Sequence, residues 1–142
     1  MRVSASPNLQ PPPADMIAGD VERSLREDIG AGDATAGLLP AGVQASAVLV
    51  CRDAAVIAGC AWFDGCFRAL DHAIDIQWLA HDGDHVAAGS TLCRLRGRAD
   101  TMVSAERTAL NFVQTLSATA TVTARYVAAV AGTRATVLDT RK

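Results

Sequence analysis

The residues that could do chemistry are concentrated towards the C-terminal end of the chain. From Arg94 onward there are eight basic and three acidic side chains, a net charge of +5, whereas the first 93 residues carry five basic and twelve acidic side chains, a net charge of −7. Every basic residue except Lys142 is an arginine, and the planar guanidinium group binds carboxylates and phosphates in a bidentate manner. This distribution predicts a pocket for a small anionic ligand rather than a nucleic-acid-binding surface.

Length and composition narrow the class of protein. A chain of 142 residues that is 50% hydrophobic can form one ordinary domain with a real core. No targeting pattern opens the sequence, and no apolar run approaches the ~18 residues that a membrane span needs, so we expect a cytoplasmic protein that does not associate with membranes. The four cysteines form no C-x-x-C pair, which predicts reduced, mostly buried thiols and no zinc site.

The N-terminal region is predicted to be a tail followed by a helix. Residues 1–13 contain four of the five prolines and are expected to be mobile. Asp15 is expected to cap a helix that stops at Gly30. The apolar residues of this helix recur at every fourth position: Ile17, Val21, Leu25 and Ile29. This spacing predicts that the helix covers one face of a core.

The middle of the chain alternates short strand patterns with one helical pattern. Strands are predicted at residues 44–52, 55–58, 74–78 and 91–95, and a helix at residues 61–72. The alternation of Arg94, Arg96 and Arg98 predicts that these three side chains share one face of a strand. Together these patterns predict a β-rich module with helices packed on it.

The C-terminal region is predicted to contain two helices and a strand. The helices span residues 103–116 and 119–131, and the second is expected to turn Val122, Tyr126, Val127 and Val130 inward. Residues 133–138 are predicted to form a β-branched strand. Polar residues follow at the C-terminal end of this strand, which is where a β/α barrel carries its catalytic groups.

Three blocks of sequence resemble the quinolinate phosphoribosyltransferase family. They are residues 27–35 (EDIGAGDAT), 105–112 (AERTALNF) and 139–142 (DTRK). The blocks occur in the family's order and extend over most of the chain. The resemblance implies an α+β fold, with an N-terminal α/β sandwich of the hammerhead or barrel-sandwich type followed by the start of a β/α barrel.

The resemblance also implies a division of the chain. Residues 14–117 would form the N-terminal domain with its linking helix, and residues 118–142 would form the first helix and first strand of the barrel. A complete barrel usually takes ~250 residues. We therefore expect the barrel to be truncated here and the 142-residue chain alone to be inactive.

The family transfers a phosphoribosyl group from 5-phosphoribosyl 1-pyrophosphate to quinolinate, with magnesium and with decarboxylation, giving nicotinate mononucleotide for NAD biosynthesis. The resemblance implies that Arg107 and Arg141 bind the carboxylates of quinolinate and that Lys142 binds quinolinate or the sugar phosphate. The residues expected to support them are Glu106, Asp139 and Thr140. A homodimer is expected in which Arg107 reaches the partner's site. No catalytic residue or metal ligand is assigned, and the ligands of Mg²⁺ are expected beyond Lys142.

Other interpretations remain open at this point. The chain could be a non-catalytic truncated relative or interaction module, or a paralogous transferase associated with molybdenum transport. Residues 82–92 resemble the turn of biotinyl and lipoyl carrier domains, but a carrier needs a lysine on a hairpin tip and the sole lysine is Lys142. Taken alone, Glu106 and Arg107 fit a solvated helical pair, and residues 139–142 fit a disordered terminus.

Overall fold

Five strands and three α-helices make up the part of the chain that the computed structural model describes, residues 11–40 and 42–138. The elements are α1 (Ala14–Ile29), a short 3-10 helix (Ala36–Leu38), β1 (Gln44–Val50), β2 (Ala55–Val56), α2 (Cys60–Leu70), β3 (Asp75–Trp78), β4 (His85–Val86), β5 (Thr91–Arg98) and α3 (Ala99–Ala129). The predicted mixture of helices and strands is confirmed.

The main sheet has the order β1-β5-β3, with both pairings antiparallel, and β2 pairs with β4 in a separate two-stranded sheet. In the central strand β5, Arg94, Arg96 and Arg98 are exposed, whereas Cys93 and Leu95 are buried. The prediction that these arginines share a face is therefore confirmed. The opposite face of β5 is the one on which the helices pack.

All three helices contribute to one hydrophobic core over that inner face. Its buried members are Val21, Leu25, Phe63, Cys66, Phe67, Ile74, Cys93, Leu95, Met102, Ala105, Ala109 and Val113. Ile17 and Ile29 pack against this core and are partly buried, so the predicted apolar face of α1 is confirmed. Helix α2 begins after Gly59, whose φ of 101° favours glycine and whose Cβ, if present, would lie 2.9 Å from Cδ1 of Leu116.

The C-terminal end of α1 lies where it was predicted, but its N-terminal cap does not. The helix stops at Gly30, as predicted, and the φ of that glycine is 54°. The N-cap is Pro13 and not Asp15, so the predicted cap is wrong. The carbonyl of Pro13 accepts hydrogen bonds from the backbone N–H groups of Met16 and Ile17, which satisfies two donors of the first turn without a side chain. The carboxylate of Asp15 instead lies inside that turn, at the positive end of the helix dipole.

Helix α3 corrects the prediction of two C-terminal helices. It runs unbroken for 31 residues, because no glycine or proline interrupts it. The hydroxyls of Thr119 and Thr123 bond to carbonyls one turn back, so these residues do not cap or end the helix. The predicted inward side chains are also wrong: Val122, Tyr126 and Val127 are 48%, 64% and 51% exposed. The described elements supply no layer against which this end of α3 could bury them.

Residues 133–138 are not a strand, which corrects a second C-terminal prediction. A strand is defined by hydrogen bonds to a neighbouring strand, and no other strand pairs with this segment within the described residues. β-branched composition therefore cannot define a strand here. The predicted division between residues 117 and 118 stays a prediction, and α3 runs through it.

The cysteines are unpaired thiols, as predicted, and two of the four are fully buried. Cys66 and Cys93 lie in the core, while Cys51 and Cys60 are half-buried. Burial raises the pKa of the Cys66 and Cys93 thiols to about 12, because the thiolate would lose its hydration. These two residues therefore act as small apolar side chains in the core.

Candidate functional site

A polar cleft of about 490 Å³ lies between the loop that follows α1 and the N-terminal half of α3. It contains the first two of the sequence blocks that carry the resemblance, residues 27–35 and 105–112. Its charged lining residues are Asp28, Asp33, Glu106 and Arg107. The cleft therefore combines one arginine with three carboxylates, from segments about 75 residues apart in the chain.

The loop wall of the cleft is held in shape by Asp33. Its Oδ1 accepts hydrogen bonds from the backbone N–H groups of Thr35 (2.9 Å) and Ala36 (3.1 Å), which starts the short 3-10 helix. The bond from Ala36, followed by one from the hydroxyl of Ser104 on α3, lowers the pKa of Asp33. Because these donors favour the charged form, Asp33 is an anion that stabilises the loop beside α3.

Arg107 reaches the cleft from α3 and is anchored by Asp28. Its Nη1 donates to Oδ1 of Asp28 at 3.1 Å, and the hydroxyl of Thr108 donates to Oδ2 of the same carboxylate at 3.0 Å. The Arg107 side chain is 86% exposed, whereas that of Asp28 is only 18% exposed. The carboxylate that accepts from Arg107 is therefore sheltered from solvent, while the guanidinium of Arg107 remains open to a ligand.

The structure places only part of the predicted site. Arg107 and Glu106 line the cleft, and Glu106 makes no ion pair among the described residues, so the proposed solvated pair between these neighbours is not formed. Instead the partner of Arg107 is Asp28. The remaining predicted residues, Asp139, Thr140, Arg141 and Lys142, lie outside the described residues, and their roles stay predictions.

Sequence reasoning missed Asp28 as the partner of Arg107. Helical spacing relates residues three or four positions apart, but Asp28 and Arg107 are separated by 79 positions. The available signal was the block at residues 27–35, which resembles the same family as the block around Arg107. Within that block Asp33 bonds to its own loop, whereas Asp28 contacts Arg107.

Two other clefts are less suited to an anionic ligand. One of about 510 Å³ lies between the turn after β1 and the C-terminal half of α3, and the other, of about 870 Å³, lies between β1 and α3. Both are lined mainly by apolar side chains, although Arg52 borders each of them and Arg125 also borders the smaller one. Across the described ranges, none of the helices has the combined length and apolar character that crossing a membrane requires.

The chain matches known proteins along nearly its whole length. The family model described as quinolinate phosphoribosyl transferase, N-terminal domain, matches residues 33–117. A quinolinate phosphoribosyltransferase (decarboxylating) of Nicotiana tabacum is 33% identical over 138 residues, which are 94% of this chain and 39% of that protein.

Solved structures show the same similarity in three dimensions. The nicotinate-nucleotide pyrophosphorylase of Francisella tularensis has a TM-score of 0.83 at 34% identity, over 90% of this chain and 46% of its own. NadC of Streptococcus pyogenes has a TM-score of 0.86 at 32% identity, over 96% and 48%. The chain thus spans less than half the length of these proteins, and its fold is that of their corresponding part.

Proposed function

Because this chain belongs to the quinolinate phosphoribosyltransferase family, we propose that the native protein transfers the phosphoribosyl group of 5-phosphoribosyl 1-pyrophosphate to quinolinate. The ring nitrogen of quinolinate displaces pyrophosphate from C1 of the sugar, and loss of the neighbouring carboxylate as carbon dioxide gives nicotinate mononucleotide. The names of the relatives support this reaction.

The observation that carries the proposal is the placement of Arg107. Quinolinate has two adjacent carboxylates on a planar ring, and a permanently charged planar donor is well suited to bind one of them. Arg107 offers this group 86% exposed and anchored on its inner side by Asp28. We propose that Arg141 binds the other carboxylate and that Lys142 binds quinolinate or the sugar phosphate.

We propose further that the protein is a homodimer in which Arg107 enters the partner's site. The exposed apolar side chains of Val122, Tyr126 and Val127 support an additional interface, because contiguous exposed apolar surface commonly marks contact with another protein. We also propose a cytoplasmic location, which the unpaired thiols support.

Magnesium has no fitting site among the described residues. In residues 11–40 and 42–138, no three His, Cys, Asp or Glu side chains lie together as a metal site requires. In the cleft, the carboxylates of Asp28 and Asp33 already accept two or more hydrogen bonds each. We propose that Mg²⁺ is held by ligands outside these residues.

The proposal is tested by replacing Arg107 in the native protein. We expect Arg107→Ala to lower kcat/KM for quinolinate by about 100-fold or more, because a charge-assisted contact to a carboxylate is lost. Quinolinate-dependent release of pyrophosphate measures the rate. Arg68→Ala is the matched control, since Arg68 is also an exposed helical arginine paired with one aspartate, Asp64.

The outcomes separate the possible functions. Unchanged turnover by Arg107→Ala, with the control also unchanged, would reject the assignment of Arg107. A wild-type protein that neither turns over nor is stabilised by quinolinate would reject the transferase and favour the interaction module or the molybdenum-associated paralogue. A bound ligand at 100 times its dissociation constant stabilises a protein by ~2.7 kcal/mol, so thermal unfolding detects the difference.

A further inference from the structure

Asp28 links two consecutive residues of α3 to the last turn of α1. Each of its oxygens accepts one hydrogen bond, Oδ1 from the guanidinium of Arg107 and Oδ2 from the hydroxyl of Thr108. The Thr108 side chain is buried at 5% exposure, whereas Arg107 is 86% exposed. The two bonds therefore have different surroundings. The bond from Thr108 lies at the edge of the core, and the bond from Arg107 faces the cleft.

We propose that Asp28 is a positioning residue for Arg107, which holds the guanidinium at the mouth of the cleft in the orientation that receives a substrate carboxylate. This inference rests on the proposed function. An arginine side chain carries about 2 kcal/mol of rotamer entropy, and a side chain ordered before binding loses less of it when the ligand arrives. The benefit therefore appears in ligand affinity.

Fold stability alone does not account for the Arg107–Asp28 pair. An ion pair with a largely exposed member contributes about 0–1 kcal/mol, and Thr108 already satisfies the carboxylate at the edge of the core. A guanidinium has five N–H donors, and Asp28 is the one hydrogen-bond partner of Arg107 among the described residues. Most of the donors are therefore left for a ligand.

The other acidic residues of the cleft are poorly placed for this task. Asp33 already accepts hydrogen bonds from the backbone N–H groups of Thr35 and Ala36, and Glu106 is exposed and forms no ion pair in the described part of the chain. Among the three carboxylates of the cleft, Asp28 is thus the one in direct contact with Arg107. Its low exposure of 18% fixes the position of the acceptor.

A carboxylate beside Arg107 has two opposing effects on an anionic substrate. It orders the guanidinium, which favours binding, and it partly cancels the positive charge, which weakens binding. Replacing Asp28 by asparagine keeps an oxygen that can accept from Thr108 but removes the anion that holds Arg107. If positioning dominates, the KM for quinolinate rises; if charge dominates, it falls.

The test is steady-state kinetics of the native protein, expressed from its complete reading frame. We expect Asp28→Asn to raise the KM for quinolinate about tenfold, with the KM for 5-phosphoribosyl 1-pyrophosphate unchanged within about twofold. Asp28→Glu, which restores the charge, should recover part of the loss. In an Arg107→Ala background, Asp28→Asn should have no further effect on this KM, because the residue on which it acts is gone.

Two control variants separate positioning from a general loss of structure. Thr108→Val removes the other bond to Asp28 and should lower the Tm while leaving the quinolinate KM within about twofold. Asp20→Asn replaces an α1 carboxylate of similar bonding, which contacts Arg23 and the indole N–H of Trp62. It too should leave the quinolinate KM unchanged.

The mobility of the Arg107 side chain in the wild-type protein tests the positioning role without any variant whose folding could be impaired. In ¹⁵N-labelled protein, the Nε–Hε group of Arg107 should be more ordered than that of Arg26, an exposed arginine of α1 paired with Glu22. Equal mobility of the two groups, as seen in their heteronuclear NOE values, would overturn the positioning role.

The kinetic outcomes distinguish failure of the proposed transferase function from failure of the positioning role of Asp28. If the wild-type protein does not turn over quinolinate, or if Arg107→Ala turns it over at the wild-type rate, the proposed function and this inference are both overturned. Suppose that Arg107→Ala strongly lowers kcat/KM for quinolinate, but Asp28→Asn has the same quinolinate KM as Asp20→Asn, or a lower one. That result overturns the positioning role alone. A selective rise in that KM supports both.

Discussion

Single residues in the cleft show how one side chain can serve the fold and another the ligand. Asp28 and Asp33 are both carboxylates at the end of α1, yet Asp33 binds backbone N–H groups and Asp28 binds side chains of α3. Local turn chemistry makes the role of Asp33 predictable, because an aspartate often bonds to the backbone two residues on. The role of Asp28 depends on a contact that only the folded chain creates.

The charge of Asp33 should make stability depend on pH. Its pKa is lowered by hydrogen bonds to the carboxylate, so its contribution is present above the unfolded value of 3.8 and is lost as pH falls through the lower folded value. Asp33→Asn, which keeps an acceptor oxygen, should therefore be less stable than wild type at pH 7. The gap in unfolding free energy should close as the pH falls below 3.8.

Urea unfolding at a series of pH values checks this expectation. The control is Asp53→Asn, because the carboxylate of Asp53 accepts no hydrogen bond within the described residues. A gap for Asp33→Asn that stayed constant down to pH 2 would show that the charge is not responsible.

At the scale of elements, local pattern predicted the helices and strands well wherever both partners of a contact lie in the described chain. The face of α1, the helix α2 and the alternation of β5 follow from the spacing of apolar residues. Apart from the cap of α1, the wrong predictions concern residues 119–138, whose inward side chains and strand require a neighbouring layer. Without a packed layer, Val122 and Tyr126 stay exposed and residues 133–138 form no strand.

Helix α3 is also fixed to the strand region by hydroxyl groups that the apolar pattern does not reveal. The Oγ of Ser117 donates to the carbonyl of Ala58 at 3.1 Å and accepts from its N–H at 3.0 Å, and Oγ1 of Thr121 accepts from the N–H of Val56 at 2.9 Å. The helix thus satisfies backbone groups on the side of the segment that faces no strand. Ser117 itself is buried at 8% exposure.

Removing the Ser117 hydroxyl should therefore be costly. We expect Ser117→Ala to lower the unfolding free energy by about 1–3 kcal/mol, because the N–H and carbonyl of Ala58 are left without their partner. Thr123→Ala is the control, since that exposed hydroxyl bonds only to a carbonyl of its own helix, and it should change stability by at most about 0.5 kcal/mol. Equal effects in chemical denaturation would contradict the role given to Ser117.

For the whole molecule, the main question is how an incomplete site becomes complete. The cleft supplies one exposed arginine, and the other predicted basic groups, Arg141 and Lys142, lie outside the described residues. The family match covers residues 33–117, which places Arg107 within the shared domain. The proposed dimer explains how an arginine of one subunit would meet the remaining groups of another.

Mixing two inactive variants tests that sharing directly. If Arg107 acts in the partner's site and Arg141 in its own, equimolar Arg107→Ala and Arg141→Ala subunits should form dimers with one intact site. Random assortment would restore about one quarter of the wild-type activity. Each variant alone should stay inactive, and a mixture that also stays inactive, despite subunit exchange shown by mass spectrometry, would place both arginines in the same subunit's site.

The unbroken course of α3 has a consequence for how such a sequence can change in length. Asp28 holds the helix at Arg107 and Thr108, and Ala58 holds it at Ser117. Inserting one residue between these anchors would rotate one relative to the other by about 100° and shift it by about 1.5 Å. Both sets of bonds could not then form together. The number of residues between the anchors therefore matters to the fold as much as the identities of the anchoring residues.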